Sequence, residues 1–216
     1  MNLRVDIHDG VFEVFEPQEA KRKKLKVECN NKSIFYDITD YNVFPFSFGV
    51  GDYTLTLYQQ VSGNKYRLAA KSTISSYFGS DVYSPYLNPN QYIRYNVFFE
   101  IRIKNLVKTP TELFTWVEKN LSYDYVRTHM VKKTVLPDVD YALHFKRGIC
   151  QDLAAFTVAA LRSIGCPAKL IIGYADGNYH AWVEYYDQST TEWRLYDPTS
   201  RILRKKIKKY VKERWY

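Results

Sequence analysis

The sequence predicts an α+β protein in which a β-sandwich-like N-terminal module precedes a domain built from a cysteine-bearing helix packed on an antiparallel sheet. Short alternating segments separated by turn residues fill about residues 1–76, and this spacing is typical of small sandwiches. A helix-periodic segment that begins at Cys150 is then followed by three strand-like segments. Strands and helices grouped in separate parts of a chain indicate α+β architecture.

The composition bounds the class of protein. The chain has 216 residues, of which 46% are hydrophobic, so it allows one large domain or two small domains with ordinary cores. No segment approaches the roughly 20 consecutive apolar residues that a transmembrane helix needs, so we expect no transmembrane helix. The first nine residues alternate and carry charge, so they do not read as a signal peptide.

Cysteine usage favours free thiols. The three cysteines, Cys29, Cys150 and Cys166, cannot all pair with one another, and none has the spacing of a zinc site. We therefore expect neither a metal nor an organic cofactor. Localisation stays open, because the missing signal peptide and unpaired cysteines indicate the cytoplasm, whereas a secreted protein could have lost its leader.

The β-rich module is predicted to span residues 1–78. A linker is predicted at 79–95, and a second domain with a basic tail at 96–216. Residues 77–92 carry two prolines and many turn residues, and such composition marks boundaries. The turn Ser62–Asn64 separates two of the strands. The six candidate strands are Leu3–Ile7, Val11–Phe15, Leu25–Cys29, Ile34–Ile38, Tyr53–Val61 and Lys65–Ile74.

Two helices are predicted to open the second domain. Asn96 can cap a helix running to about Leu106, although the aromatic and β-branched residues of this segment also allow a strand. Thr109 is followed by a proline and, at the third helical position, by Glu112, which is the pattern of a helix start. The next segment, Ser122–Phe145, shows little pattern and is predicted to be a long connection.

The helix that begins near Cys150 is the best-marked element. Gly148 precedes it, its apolar residues keep helical spacing, and Gly165 with Pro167 ends it. Three antiparallel strands are predicted to follow, at Ala168–Tyr174, Tyr179–Tyr186 and Glu192–Tyr196.

Cys150, His180 and Asp197 lie on three different predicted elements, as the parts of an activated thiol nucleophile do. The unpaired N–H groups of a helix start favour an anion, so they stabilise a thiolate and can hold a developing oxyanion. If the last two strands form a hairpin centred between Gln188 and Ser189, His180 lies directly opposite Asp197. Cys150 would then attack a carbonyl, His180 would protonate the leaving amine, and Asp197 would orient the histidine.

Taken singly, each of these residues could have a purely structural role. Cys150 could be a core residue, His180 a histidine with its hydrogen bonds made within the protein, and Asp197 a turn residue. Their joint placement favours catalysis. It also identifies a resemblance to the transglutaminase-like core of the papain-like cysteine enzymes over roughly residues 96–200. The matching segments are RGICQD at 147–152, LRSIGCPAK at 161–169, GY at 173–174, HAWVE at 180–184 and WRLYDPT at 193–199. The β-rich front half resembles, more weakly, the leader module of some bacterial members.

The resemblance implies a fold and a chemistry. Members of the family, which include cross-linking enzymes, peptidases, deamidases and peptide:N-glycanases, break amides through a thioester. It implies a thiol-dependent amide hydrolase or acyl transferase acting on a peptide or protein, with Cys150, His180 and Asp197 as the triad. The alternative is a catalytically inactive domain of this family that serves as a binding or scaffold module.

Two points depart from the family pattern. Cys166 replaces a small aliphatic residue and is predicted to be a buried core thiol, and no residue before Cys150 clearly supplies a second oxyanion donor. Asp152 is predicted to stabilise the helix start rather than to catalyse. The candidates for oxyanion or substrate contacts are Tyr123, Tyr125, His144, Gln151 and Trp182.

The basic tail, residues 201–216, carries eight Lys or Arg and one Glu. Its apolar residues are near helical spacing, which predicts an amphipathic helix docked on the domain with a solvated basic face. The alternatives are binding to an anionic membrane, cell-wall polymer or other anionic surface, or to nucleic acid. Nothing in the sequence indicates base-specific recognition, so we expect no specific nucleic-acid partner.

Overall fold

The computed structural model describes residues 3–16, 22–79, 81–131 and 135–216. The chain forms two compact units, residues 1–91 and 92–216. The first unit is β-rich, as predicted, with one short 3₁₀ turn at Ser84–Tyr86. Its strands are β1 (Val5–His8), β2 (Val11–Val14), β3 (Lys23–Cys29), β4 (Lys32–Asp37), β5 (Val43–Pro45), β6 (Asp52–Ser62) and β7 (Lys65–Ser75).

The strands of the first unit form two antiparallel sheets, in the orders β1-β2-β5 and β4-β3-β6-β7. Aromatic rings from both sheets meet in the core. Phe12, on β2, lies 6.4 Å from the Tyr53 ring on β6, and Phe46 lies 5.0 Å from the same ring. All three side chains are fully buried, so large apolar rings stabilise the sandwich-like packing of these short strands.

The turn-rich segment after β7 is partly built into the first unit. The Asn88 side chain donates a hydrogen bond of 2.8 Å to the carbonyl of Asp9, and that of Gln91 donates one of 2.8 Å to the carbonyl of Asp37. The division between the two units falls after Gln91. The compact unit therefore extends beyond residue 78, the last residue of the β-rich module in the sequence-based division.

The second unit contains all six α-helices described. Its elements are α1 (Val97–Leu106), α2 (Pro110–Asn120), β8 (Ser122–Tyr123), α3 (Tyr125–Met130), α4 (Val139–Phe145), β9 (Arg147–Gly148), α5 (Cys150–Ser163), β10 (Ala168–Ala175), β11 (Asn178–Asp187), β12 (Glu192–Tyr196), α6 (Pro198–Ile202) and β13 (Tyr210–Trp215).

The first two helices begin where their capping residues predict. The Asn96 side chain accepts a hydrogen bond from the Phe99 N–H at 3.0 Å, so this segment is a helix and not a strand. Thr109 caps α2, and Glu112 accepts from the Lys108 N–H at 2.7 Å. A side chain that accepts from the first free N–H groups stabilises a helix by about 1 kcal/mol.

The prediction of a long connection at Ser122–Phe145 was incomplete. Asp124 and Asp138 each cap a short helix, α3 and α4, and β8 pairs in parallel with β9. Helices of six and seven residues are too short to display a clear period, which explains why the sequence pattern missed them. Residues 132–134 of this connection lie outside the described residues.

Helix α5 packs on a four-stranded antiparallel sheet of order β12-β11-β10-β13. From Asp152 to Ser163 every residue of the helix is buried. Its small Ala residues allow close approach to the sheet. The three predicted strands β10, β11 and β12 are confirmed, but the sheet has a fourth strand that was not expected.

That fourth strand is β13, so the prediction of a helical basic tail was wrong. Residues 210–215 pair antiparallel with β10, and this pairing to a distant strand outweighs local helical spacing. Gly173 permits the approach, because a Cβ there would lie 2.1 Å from the Val211 carbonyl oxygen. The next residue, Tyr216, is fully buried, and its carbonyl accepts a 3.1 Å hydrogen bond from Arg162.

The hairpin of β11 and β12 has a register two residues away from the predicted one. Val183 lies opposite Tyr196, whereas direct opposition of His180 and Asp197 would have placed it opposite Arg194. Asp197 follows the end of β12 and caps α6. Because side chains alternate with period two, a shift of two residues keeps the same side chains on the same face.

Candidate active site

Cys150 is the first residue of α5, and its side chain is partly exposed. The preceding strand β9 ends at Gly148, where a Cβ would lie 2.8 Å from the Asp152 Cβ, so glycine is required for this turn. The N–H groups of the first helical turn have no partner within the helix. Their positive ends therefore converge beside the sulfur atom, and they favour negative charge there.

Asp152 fixes the start of α5. Its fully buried carboxylate accepts hydrogen bonds from the Ile149 N–H at 3.2 Å, the Asp138 N–H at 2.9 Å and Arg127 Nε at 2.8 Å. One side chain thus joins the cysteine-bearing helix to Arg127 of α3 and to the cap of α4. The prediction that Asp152 stabilises the helix start is confirmed by these contacts.

His180 lies on β11 with its ring beside both other members of the predicted triad. Its Nε2 atom is 2.9 Å from Asp197 Oδ2. The side chain of His180 has 14% exposure and that of Asp197 only 1%, so the pair is largely shielded from water. Cys150 lies near the same ring, where it acts together with Asp197 to raise the pKa of His180, and both side chains line one groove.

The charge state of His180 follows from these contacts. Burial lowers its pKa, but the Asp197 hydrogen bond, the Cys150 contact and both negative charges raise it, and the net result is a pKa of about 9. Burial also acts to raise the pKa of Asp197, yet His180, the Ser200 N–H and Tyr210 together hold it below its ordinary value. His180 is therefore protonated near neutral pH, and the Asp197 carboxylate is its charged partner.

Tyr210, on β13, is a site residue that the sequence did not identify. Its hydroxyl donates a 2.9 Å hydrogen bond to Asp197 Oδ2, the same oxygen that contacts His180. Burial and the neighbouring Asp197 charge raise the pKa of Tyr210, so the hydroxyl stays protonated and able to donate. Only the pairing of β13 with β10 brings this residue to the site, and no local motif reveals it.

Trp182, two residues beyond His180, packs against the rings of His180 and Tyr210. Its indole is fully buried, 6.4 Å from the His180 ring at an interplanar angle of 21°, and 5.0 Å from the Tyr210 ring. The side chain does not line the groove described below. The structure therefore places Trp182 behind the histidine, where it packs instead of touching substrate.

A groove of about 250 Å³ opens over Cys150, His180 and Asp197. Tyr123, of β8, lines it on one side. Burial raises the pKa of Tyr123, and the charge of Cys150 adds to the effect. The start of the C-terminal segment adds Leu203, Lys205 and Ile207 to the lining. The cavity is thus lined by residues of five elements, β8, α5, β10, β11 and α6, and of the irregular segment after α6.

The remaining candidates lie away from this groove. Tyr125 is 63% exposed and stacks edge-on against Tyr123. His144 is exposed and contacts Phe145. The Gln151 side chain donates to the Val135 carbonyl at 3.0 Å. None of the three is among the groove-lining residues, so the structure does not bring them to Cys150.

The other thiols are buried in the two cores. Burial raises the pKa of Cys166 to about 12, which confirms the prediction of a buried core thiol. Cys29 is buried in the first unit, and burial raises its pKa too. Cys150 is therefore the one cysteine of the chain that combines exposure with a histidine partner.

Across residues 3–16, 22–79, 81–131 and 135–216, no group of three His, Cys, Asp or Glu side chains could hold a metal ion. In that part of the chain no helix combines the length and apolar character needed to cross a membrane.

A thiol at a helix start, backed by an antiparallel sheet that carries a histidine and a carboxylate, has the arrangement of a Cys-His-Asp site on a papain-like fold. The family model described as the transglutaminase-like superfamily matches residues 100–198. The chain therefore contains a transglutaminase-like domain, and the resemblance stated from the sequence is confirmed.

Two curated proteins are similar to parts of this domain. An uncharacterized protein of Mycobacterium leprae, ML0607, is 37% identical over 73 residues, covering 28% of this chain and 25% of that protein. A protein-glutamine gamma-glutamyltransferase of Pseudomonas aeruginosa is 30% identical over 88 residues, covering 34% of this chain and 13% of that protein. The chain thus spans a quarter or less of the length of these curated relatives.

Two solved structures align with this chain at low sequence identity. A Cytophaga hutchinsonii protein described provisionally as a cysteine protease aligns with a TM-score of 0.48 and 15% identity, covering 94% of this chain and 73% of that one. The periplasmic domain of TgpA from Pseudomonas aeruginosa aligns with a TM-score of 0.43 and 15% identity, covering 85% and 83% of the two chains.

Proposed function

We propose that the second unit breaks amide bonds of a peptide or protein through a thioester on Cys150. The observation that carries the proposal is the position of the His180 ring, which contacts Asp197 through Nε2 at 2.9 Å and lines the same groove as Cys150. A buried imidazolium held between a carboxylate and a thiol at a helix start is an arrangement suited to nucleophilic catalysis.

In the first half of the reaction, the Cys150 thiolate attacks the amide carbonyl and a C–S bond forms. The carbonyl oxygen becomes an oxyanion in a tetrahedral intermediate. His180 then gives its proton to the nitrogen as the C–N bond breaks, and the amine leaves. The products of this half are a thioester and a neutral histidine, which the Asp197 carboxylate keeps oriented.

In the second half, a water molecule or an amine attacks the thioester. Neutral His180 accepts a proton from the attacking group, the C–S bond breaks, and the thiolate and imidazolium are restored. Water gives a carboxylic acid, whereas an amine gives a new amide. Both outcomes use the same residues, so the site supports a hydrolase or an acyl transferase.

The oxyanion needs donors aimed at its position. We assign the first donor to the backbone N–H of Cys150, since it belongs to the free first turn of α5. We assign the second to the Tyr123 hydroxyl, because Tyr123 lines the groove beside Cys150 and its raised pKa keeps it protonated. Tyr210 is assigned a positioning role, because it acts on Asp197 and not on the reacting atoms.

The test combines thiol labelling with product analysis. We expect Cys150 to react with iodoacetamide faster than the free cysteine of a model peptide at pH 6–7, and His180→Ala to remove this advantage. Amide-containing peptides would be incubated with the protein in ¹⁸O-water, with and without a primary amine. Mass spectrometry would then reveal an ¹⁸O-labelled acid or a new amide.

The controls separate catalysis from binding. Cys166→Ala keeps Cys150 and should keep turnover, whereas Cys150→Ala should abolish it. If Cys150 labels no faster than the peptide thiol, and the wild-type chain turns over no peptide that Cys150→Ala does not, the enzyme proposal is wrong. The scaffold alternative would then be preferred.

A further inference from the structure

The C-terminal segment 203–209 forms one wall of the groove over Cys150. Leu203, Lys205 and Ile207 line the cavity, and the residues between them do not. Leu203 and Arg204 form the turn that ends α6, with Arg204 at a φ of 51°, and the chain continues from Lys205 outside helices and strands as far as β13. Lys205 is the only Lys or Arg among the residues that line the cavity.

Backbone hydrogen bonds hold the wall at both ends, although it lies outside helices and strands. At its start, the Lys205 N–H donates a 2.9 Å hydrogen bond to the Ser200 carbonyl. At its end, the carboxylate of Asp176 accepts from the Lys208 N–H at 3.1 Å and the Lys209 N–H at 2.9 Å. These bonds fix the backbone on either side of Lys205, so its side chain starts from a fixed point on the groove wall.

The wall has excess positive charge. Residues 203–209 include five Lys or Arg and no acid. Elsewhere in the C-terminal segment cations are paired, Arg201 with Glu118 and Lys212 with Glu184. No ion pair between described residues involves the five cations of the wall, Arg204, Lys205, Lys206, Lys208 and Lys209.

The two carboxylates that accept hydrogen bonds from this segment have protein partners other than Lys205. Asp176 accepts the two backbone N–H groups, and Asp197 accepts from Tyr210 and contacts His180. An anionic ligand in the groove could therefore bind the ammonium group of Lys205 without displacing a carboxylate of the protein from it. Within a cleft, such a charge attracts an oppositely charged substrate over several ångströms.

From this wall we infer that the groove selects acyl donors that carry a carboxylate next to the scissile amide, with Lys205 as the specificity-determining residue. The inference rests on the proposed function, because it names the substrate class of that same site. The carboxylate can come from an acidic side chain or from a peptide C-terminus, and both have the same chemistry at Lys205.

The first experiment needs no substrate. Iodoacetate and iodoacetamide alkylate the same thiolate and differ mainly in the carboxylate, so the ratio of their rate constants at Cys150 reports on nearby charge. We expect Lys205→Gln to lower this iodoacetate-to-iodoacetamide ratio roughly three- to tenfold at low salt, and added salt to shrink the effect. Labelling would be quantified at Cys150 by peptide mass spectrometry of the full chain.

Lys206→Gln is the matched control, since it removes the same charge from the next residue, which does not line the groove. We expect it to change the ratio less than twofold. Equal ratios in wild-type, Lys205→Gln and Lys206→Gln proteins would overturn the inference even if Cys150 remains reactive. A Cys150 that reacts with neither reagent faster than a free thiol would instead contradict the proposed function.

Peptide substrates then distinguish the source of the carboxylate. Pairs would carry Glu or Gln beside the scissile amide, and a free or an amidated C-terminus. We expect at least one acidic member to be preferred about tenfold in kcat/KM, and Lys205→Gln to remove that preference. Binding to phosphatidylserine vesicles that both lysine variants weaken equally, with no acidic preference in the peptides, would favour a surface-binding role and overturn the inference.

Discussion

Tyr210 and Asp197 are joined by a hydrogen bond of 2.9 Å between the phenol and the carboxylate oxygen that His180 also contacts. The two residues belong to separate elements, the last strand of the sheet and the cap of α6. Tyr210 reaches Asp197 because β13 folds back along β10, and Gly173 leaves room for that approach. The C-terminal strand therefore supplies a fourth polar group to the site.

Replacing Tyr210 by Phe removes one donor to the Asp197 carboxylate while keeping the ring against Trp182. A hydrogen bond to a charged group contributes about 1.5–3 kcal/mol, so we expect the rate of Cys150 alkylation or peptide turnover to fall about tenfold. Because the Tyr210 bond helps to lower the pKa of Asp197, the acid limb of the pH profile should move to higher pH.

Tyr174→Phe is the matched control, because Tyr174 lies on β10 of the same sheet and is 39% exposed. We expect it to leave both rate and profile unchanged. A Tyr210→Phe protein with a lower rate but an unmoved acid limb would indicate a packing role for Tyr210 rather than a role in orienting Asp197.

Tyr123→Phe tests the proposed second oxyanion donor. The loss of one such donor typically lowers kcat by about 10²–10³-fold with little change in KM. Tyr125→Phe should have little effect, since Tyr125 is largely exposed and lies outside the groove. The measurement is a steady-state comparison on one peptide amide. Equal kcat values for Tyr123→Phe and wild type would remove Tyr123 from the mechanism.

The raised pKa of His180 makes the stability of the unit depend on pH. Its pKa rises from 6.5 to about 9 on folding, so the protonated form is stabilised. That contribution is fully present below about pH 6.5 and is lost as the pH rises through about 9. A shift of this size corresponds to at most about 3 kcal/mol.

The measurement is the free energy of unfolding in urea at pH 5.5, 7.5 and 10, for wild type and His180→Gln under reducing conditions. We expect the advantage of the wild-type protein to be largest at pH 5.5 and smallest at pH 10. An advantage that stays constant across this range would mean that His180 keeps an ordinary pKa in the folded protein.

Asp152→Asn should destabilise the second unit because one neutral oxygen cannot replace a carboxylate that accepts three hydrogen bonds. Arg127, whose side chain is 17% exposed, would lose its charged partner. We expect a loss of about 2–4 kcal/mol in the free energy of unfolding. The exposed Asp140→Asn is the control and should change it by less than about 0.5 kcal/mol.

The sequence was most informative where structure is local. The start of α5 at Cys150 and the strands that carry His180 and Asp197 follow from helical spacing, capping and turn residues. The exact hairpin register did not, because the turn sequence after Asp187 allows more than one centre. The error was two residues, so the predicted face of His180 and Asp197 was still correct.

The parts that were missed depend on distant contacts. Segment 203–216 is rich in Lys, which has low intrinsic preference for strands, yet its residues 210–215 pair with β10, which ends about 35 residues earlier in the chain. That pairing brings Tyr210 to Asp197, whereas the backbone around Lys205 is held by Ser200 and Asp176. Tyr125 and His144 were plausible by proximity in sequence to Cys150, but α3 and α4 turn them away from the groove.

The position of β13 in the chain also affects how the protein is made. During synthesis, a chain that has left the ribosome only as far as Ile202 already contains Cys150, His180 and Asp197. It still lacks the Tyr210 hydroxyl and the groove wall, and β10 has an open edge that can pair with other strands. Nascent chains are therefore expected to acquire a complete groove only after β13 has emerged and docked on β10.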